Sequence, residues 1–230
     1  MKKLIYLFLF CAFLNFNCSV HQGNQLKKQT PIINILALGD SYTIGESVCE
    51  TCRFPEQLKD SLIVNFKPKS NFNLKIIAKT GWTTTNLINA ISTENLENNY
   101  DLVTLLIGVN NEYQNKTFGI YESEFPQLIN IAIEKAKGIK SKIIVLSIPD
   151  YAFTGFGLGN TTISKNIDKY NNFAKNYCKS NNITFINITD LTRLGLKNKA
   201  LVASDNLHPS TLAYSKFVEL ILPISLKKLK

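Results

Sequence analysis

Ile35-Leu36-Ala37-Leu38-Gly39-Asp40-Ser41-Tyr42 runs apolar for four residues and stops at a Gly-Asp-Ser turn. An unbroken apolar run of strand length marks a strand buried on both faces of a parallel sheet. Open α/β sheets place their ligand crevice just past the carboxyl ends of such strands, which is where Ser41 falls. Ser41 is therefore a candidate nucleophile. A serine hydroxyl is a weak nucleophile until a base takes its proton, so the reading requires a histidine. The chain holds 2 histidines. His21 lies in a polar segment near the start, whereas His208 sits in Asp205-Asn206-Leu207-His208-Pro209, with a carboxylate just upstream of the imidazole. That pair supplies a base and a group to orient it.

Downstream of Ser41, apolar runs alternate with segments of helical spacing. Phe54 to Val64, with Pro55 in its first turn, predicts the first crossover helix. Asn73 to Ala78 predicts the second strand, ending at Thr80-Gly81-Trp82, and Thr83 and Thr84 offer caps for a helix through Leu87 to Ile91. Asp101 to Ile107 predicts the third strand and delivers Gly108-Val109-Asn110. Tyr121 to Lys137 and Ile163 to Asn181 predict helices, and Lys142 to Ile148 and Ile183 to Ile188 the last two strands. Thr211 to Leu229 predicts a closing helix broken by Pro223. Five strands alternating with helices predict an α/β fold with a doubly wound parallel sheet in the order 2-1-3-4-5.

Gly39-Asp40-Ser41, the glycine of Thr80-Gly81-Trp82-Thr83-Thr84, the asparagine of Gly108-Val109-Asn110-Asn111 and Asp205-x-x-His208 follow one another as four blocks. In order and spacing they resemble the SGNH, or GDSL-type, hydrolases, over about residues 34–220. The resemblance implies a three-layer flavodoxin-like sandwich and a serine esterase or lipase-like hydrolase that works through an acyl-enzyme, with no cofactor and no metal. It also implies roles. Ser41 attacks, His208 moves the proton and Asp205 holds the imidazole, while the Ser41 and Gly81 backbone N–H groups and the Asn110 amide form an oxyanion hole. Taken singly, each residue has a plainer use: Ser41 as a helix cap, Gly81 in a turn, Asn110 capping a loop, Asp205-x-x-His208 as a helix cap beside a surface histidine. Their joint occurrence carries the chemistry. Asp40 is expected to shape the turn by local hydrogen bonds. The third block usually reads Gly-x-Asn-Asp; here Asn111 replaces the aspartate, which resembles a bacterial branch with Gly-Val-Asn-Asn.

The chain of 230 residues, 45% hydrophobic, suits one well-buried core. Its net charge of +9 comes from Lys and Arg that are scattered apart from Lys2-Lys3, Lys27-Lys28 and the C-terminal lysines. A nucleic-acid surface would gather them into a stripe, so nucleic acid is excluded as the expected partner. Met1-Lys2-Lys3 followed by an apolar run to Leu14 matches a secretory signal, because a membrane span needs about twenty apolar residues. Residues 1–18 are thus expected to be a signal peptide, 19–33 a polar tether and 34–230 the hydrolase domain. Cys18 sits where a bacterial lipoprotein carries its acylated cysteine and its membrane tether. Asn15-Phe16-Asn17 departs from the small residues usual there, and cleavage without acylation stays open. Either outcome implies export, to the periplasm or a membrane anchor.

Cys49-Glu50-Thr51-Cys52 follows the nucleophile turn. Two cysteines do not complete a zinc site, and a thioredoxin-like pair would open a helix rather than sit in a loop. In an exported chain the expected state is a small-loop disulfide. Cys178 is expected to pack as a small hydrophobe. Tyr42 and Trp82 flank the site, as substrate contacts or as core packing, and Tyr151, Phe153 and Phe156 in the aromatic, glycine-rich loop 149–160 are expected as a wall or lid or as cover for the sheet edge. Two functions are in view: hydrolysis of a small-molecule, glycan or lipid ester, and noncatalytic ligand binding on the same fold by a lipid-tethered protein. A nucleotide binder is disfavoured, since no glycine-rich phosphate loop follows the first strand.

Overall fold

The computed structural model describes residues 30–230; the leader, Cys18 and most of the tether lie outside the described residues. Five parallel strands, β1 (Ile32–Gly39), β2 (Asn71–Ala78), β3 (Leu102–Leu106), β4 (Ile143–Leu146) and β5 (Thr184–Ile186), form one sheet in the order β2-β1-β3-β4-β5. β1 lies between β2 and β3, and Ile35, Leu36, Ala37 and Leu38 are no more than 1% exposed. Each large apolar side chain buried this way contributes about 1.5–3 kcal/mol. β2 is an edge strand, and its Asn71, Asn73 and Lys75 face solvent. β1 starts at Ile32, two residues inside the stretch assigned to the tether, because Ile32 and Ile33 take up parallel register with Asn71 and Phe72.

The helices are α1 (Ser41–Ile44), α2 (Phe54–Asn65), α3 (Thr84–Thr93), α4 (Val109–Tyr113), α5 (Phe118–Lys135), α6 (Thr161–Ser180), α7 (Thr189–Thr192) and α8 (Thr211–Leu229). Parallel strands need right-handed crossovers. The step from β1 to β2 runs one way along the sheet and the steps to β3, β4 and β5 the other, so α2 falls on one face and α3, α5 and α6 on the opposite one. The packing follows: α2 lies against α8, while α3 meets α5 and α5 meets α6. The reversal of direction opens a crevice at the carboxyl ends of β1 and β3, the switch point of the sheet.

Pro223 does not break α8, contrary to the sequence expectation. A proline leaves the carbonyl four residues earlier without its N–H. That carbonyl belongs to Glu219, which is exposed, as is Pro223, so water can take the bond. Pro126 within α5 follows the same rule, with exposed Glu122 four residues before it. Thr83 caps α3 in a capping box with Asn86. Cys178 is fully buried on α6, and burial pushes its thiol up to about 12, which makes it an inert packing group. Among the described residues no helix is long and apolar enough to cross a membrane.

Candidate active site

Ser41 opens α1 at the end of β1, and its neighbour Asp40 is the cap, its Oδ1 accepting the Tyr42 N–H at 3.0 Å. Gly45 ends this one-turn helix in the left-handed conformation, its N–H donating to the Ser41 carbonyl. The turn therefore fixes the Ser41 backbone from both sides. Asp40 is fully buried and its Oδ2 has no partner among the described residues. Burial pushes its carboxyl up to about 7, against the lowering effect of the backbone N–H groups of Tyr42 and Asp40. The folded state thus binds a proton that the unfolded chain has already lost. Stability contributed by this group is present at low pH and falls as pH rises from the ordinary carboxylate range through about 7. Between about pH 4 and pH 8 the loss is on the order of 4 kcal/mol, and it should be absent in Asp40→Asn. Urea midpoints measured across that range test it; parallel pH profiles for both chains would contradict the assignment.

His208 is held by a loop outside the sheet. Val202 and Pro209 form an isolated antiparallel bridge, and the Ala203 N–H donates to the His208 carbonyl at 2.7 Å. Within the loop, Asp205 Oδ1 accepts the N–H groups of Leu207 and His208, each at 2.9 Å, and Oδ2 lies 2.6 Å from His208 Nδ1. The Ser47 hydroxyl donates to that same Oδ2 at 2.7 Å. Burial raises the Asp205 carboxyl, but these donors outweigh it and hold the group well below the usual carboxylate range, ionised at any working pH. The His208 ring packs at 5.1 Å from the Tyr42 ring. Ser41 and His208 line one cleft without a hydrogen bond between hydroxyl and imidazole.

Gly81 and Asn110 reach the same cleft from β2 and β3. Gly81 has φ 81°, and a Cβ there would meet nothing within 4 Å, so its backbone is open to a ligand. Gln114 Nε2 donates to the Gly81 carbonyl at 2.8 Å and fixes that peptide. Asn110 stands on α4, and its Nδ2 donates to the Trp82 carbonyl at 3.1 Å, which leaves its second hydrogen to spare. The N–H groups of Ser41 and Gly81 find no acceptor among the described residues. Three N–H donors with unused hydrogens thus border the space beside Ser41.

Asn111, the departure in the third block, is fully buried and joins two of the blocks. Its Oδ1 accepts the Thr84 N–H at 2.9 Å and its Nδ2 donates to the Thr84 hydroxyl at 2.7 Å. That hydroxyl itself donates to Glu124. A hydroxyl that already gives its proton to Glu124 needs a donor from residue 111, which an ionised aspartate is not. The asparagine is therefore matched to Glu124, the α5 carboxylate that takes this hydroxyl's proton.

The cleft, about 160 Å³, is lined by Ser41, Tyr42, Thr80, Gly81, Val109, Asn110, Tyr113, Tyr151, Leu207 and His208. Tyr151 forms a wall, with its hydroxyl donating to buried Glu112 at 2.8 Å. Trp82, Phe153 and Phe156 are not part of the lining. Trp82 packs against the core, and the half-exposed Phe156 stands behind the wall, its ring 6.0 Å from Tyr113 and 6.2 Å from Tyr151. Loop 149–160 is folded onto itself: the Gly159 N–H meets the Ala152 carbonyl at 2.7 Å, and the Phe156 N–H reaches the Asn206 carbonyl at 3.0 Å. The sequence reading missed Tyr113, Val109, Thr80 and Leu207. Cys49 and Cys52 are joined as a disulfide at the end of the loop that carries Ser47. Among the described residues no group of three or more His, Cys, Asp or Glu side chains could hold a metal ion.

Fold and site define a doubly wound α/β protein with a serine, a histidine–carboxylate pair and amide donors gathered at the carboxyl edge of its sheet. The family model of the GDSL-like lipase/acylhydrolase family matches residues 37–216, and the chain belongs to that family. It is an ester-hydrolysing enzyme. No curated protein matches it by sequence. Among solved structures it is similar to a lipase/acylhydrolase from Enterococcus faecalis, with TM-score 0.68 and 19% identity over 86% of this chain and 97% of that one. It is also similar to an acetyl xylan esterase from Geobacillus stearothermophilus, with TM-score 0.65 and 18% identity over 85% and 95% of the two chains. A GDSL-like lipase from Bacteroides thetaiotaomicron gives TM-score 0.63 and 17% identity over 86% and 89%. These likenesses concern the fold, and the sheet order and family expected from the sequence are both found.

Proposed function

We propose that the chain hydrolyses short-acyl carboxylic esters through an acyl-enzyme on Ser41. The observation that carries this reading is the Asp205 Oδ2–His208 Nδ1 contact of 2.6 Å at the edge of the cleft that Ser41 enters. With Nδ1–H given to the carboxylate, Nε2 keeps its lone pair and can take the Ser41 proton. Ser41 Oγ bonds to the carbonyl carbon, the carbonyl becomes an oxyanion, and the N–H groups of Ser41 and Gly81 and the Asn110 amide receive it. Collapse breaks the ester C–O bond, and His208 returns its proton to the leaving alcohol. Water, deprotonated by the same imidazole, then adds to the acyl carbon; the bond to Ser41 Oγ breaks, the acid leaves, and His208 returns the proton to Oγ. Hydrogen bonds between nucleophile and base are often long until substrate is bound, which accommodates the open Ser41–His208 geometry.

The size of the cleft supports a small acyl group. About 160 Å³ falls below the 300–1,000 Å³ of pockets that enclose a drug-sized ligand, and a long acyl chain would lie outside it. The open rim, where Tyr113 is half-exposed, leaves room for a bulky alcohol such as a glycan. The likeness to an acetyl xylan esterase accords with that choice.

A p-nitrophenyl ester series from acetate to palmitate tests the reading. The expected kcat/KM is highest from acetate to butyrate and declines by about tenfold or more toward the long chains, since methylenes beyond the cleft gain no transition-state contact. A maximum at palmitate would overturn the short-acyl assignment, and no turnover on any ester together with no fluorophosphonate labelling would overturn the serine mechanism.

A further inference from the structure

Three blocks of the site meet in the short loop after α1. Glu46 donates its N–H to the Ser41 carbonyl at 3.0 Å, and its carboxylate accepts the hydroxyl of Thr80, the residue before Gly81. Ser47 comes next, with φ 66°, a left-handed conformation that serine seldom adopts. Such a backbone persists where the surroundings over-determine it, and it is commonest at functional sites. Here it aims the Ser47 hydroxyl at Asp205 Oδ2, 2.7 Å away and 158 residues along the chain.

The partners of Asp205 fall into two sets. Leu207, His208 N–H and His208 Nδ1 all belong to the same turn as the carboxylate, so they fix its shape and not its place. Ser47 alone among these four donors comes from another segment, the one that runs on from the nucleophile. Its bond therefore ties the base's carboxylate to the loop that carries Ser41 and touches Thr80.

We propose that Ser47 is a positioning residue of this enzyme: its hydroxyl sets the orientation of the Asp205 carboxylate and, through it, of the His208 ring relative to Ser41. The proposal rests on the Ser41–His208–Asp205 reading above. Ser47 is itself exposed and does not line the cleft, so it acts through Asp205 and not on substrate.

Ser47→Ala and Ser47→Gly test it together, since both remove the hydroxyl but only glycine relaxes the left-handed backbone. With p-nitrophenyl acetate, both variants should lose kcat by roughly tenfold to hundredfold, since a misplacement of about 1 Å in the reacting groups can cost about 10²-fold. KM and the thermal midpoint should stay near wild type, because the substrate contacts and the core are untouched. The rate of fluorophosphonate labelling should fall by the same factor as kcat. Ser47→Asn, which keeps a donor and tolerates φ above zero, should recover part of the rate. Wild-type kcat and labelling in Ser47→Gly would overturn the proposal, as would a loss of kcat matched by a drop in thermal midpoint and not relieved by asparagine. A wild-type enzyme that neither turns over esters nor labels would instead remove the triad reading, and this proposal with it.

Discussion

Ser41→Ala should lower ester turnover by about 10³-fold or more and abolish fluorophosphonate labelling, while leaving the thermal midpoint within about a degree or two of wild type. The expected separation of activity from stability follows from the surroundings of the hydroxyl. Ser41 is 3% exposed, yet its Oγ makes no hydrogen bond to the protein, and the cap that holds α1 is the Asp40 carboxylate. Alanine therefore deletes a hydroxyl that the fold does not hydrogen-bond, and removing such a group breaks no stabilising contact. His208→Ala should cost comparable activity but not be silent in stability. The imidazole is buried against Tyr42, and its removal opens a cavity there that costs about 2 kcal/mol or more. Groups that act as a unit are not additive, so the double variant should be no slower than Ser41→Ala alone. Kinetics and urea melts on the three variants check the set; a rate loss in the double variant equal to the product of the singles would mean that Ser41 and His208 act independently.

Gly39→Ala should destabilise the chain by about 3 kcal/mol or more, with a matching fall in the urea midpoint. Gly39 ends β1 in register with Leu106 of β3. A Cβ there would stand 2.1 Å from Thr43 Oγ1 and 2.5 Å from the Leu106 carbonyl oxygen. The hydroxyl could rotate away, but the carbonyl belongs to the neighbouring strand and cannot yield without parting β1 from β3. Gly81→Ala provides the contrast. Its Cβ meets nothing within 4 Å, so only the left-handed backbone at φ 81° is penalised, by about 1–2 kcal/mol. A Gly39→Ala chain as stable as Gly81→Ala would show that β3 retreats at little cost.

Much of this was legible in the sequence because the relevant signals are local. The apolar runs of β1, β3 and β4 announce strands buried on both faces, and the carboxyl ends of β1, β2 and β3 carry the Ser41, Gly81 and Asn110 blocks without help from tertiary structure. What escaped is what four or five residues cannot encode. α1, α4 and α7 are too short to show a helical period, and α4 turns the Asn110 block from loop into helix. Trp82 and Phe156 are as aromatic as Tyr151, but which ring enters the cleft is decided by packing against the core and against Tyr113. The chain from Asn111 through Thr84 to Glu124 spans three elements, and the Ser47–Asp205 bond crosses most of the chain. No spacing rule finds such pairs.

The placement of the base loop has a consequence for how freely this enzyme can be remodelled. Asp205 and His208 are neighbours on one turn, and the carboxylate takes its backbone donors from that same turn. Bringing them together costs the closure entropy of a few residues, whatever the length of chain leading up to them. The dyad is thus a self-contained module. Insertions or deletions in the exposed part of loop 149–160 that spare Phe156 can reshape the rim without redrawing the internal geometry of this turn. The Val202–Pro209 bridge, the Ser47 hydroxyl, the Tyr42 ring and the Phe156 N–H to Asn206 are contacts that must stay in reach.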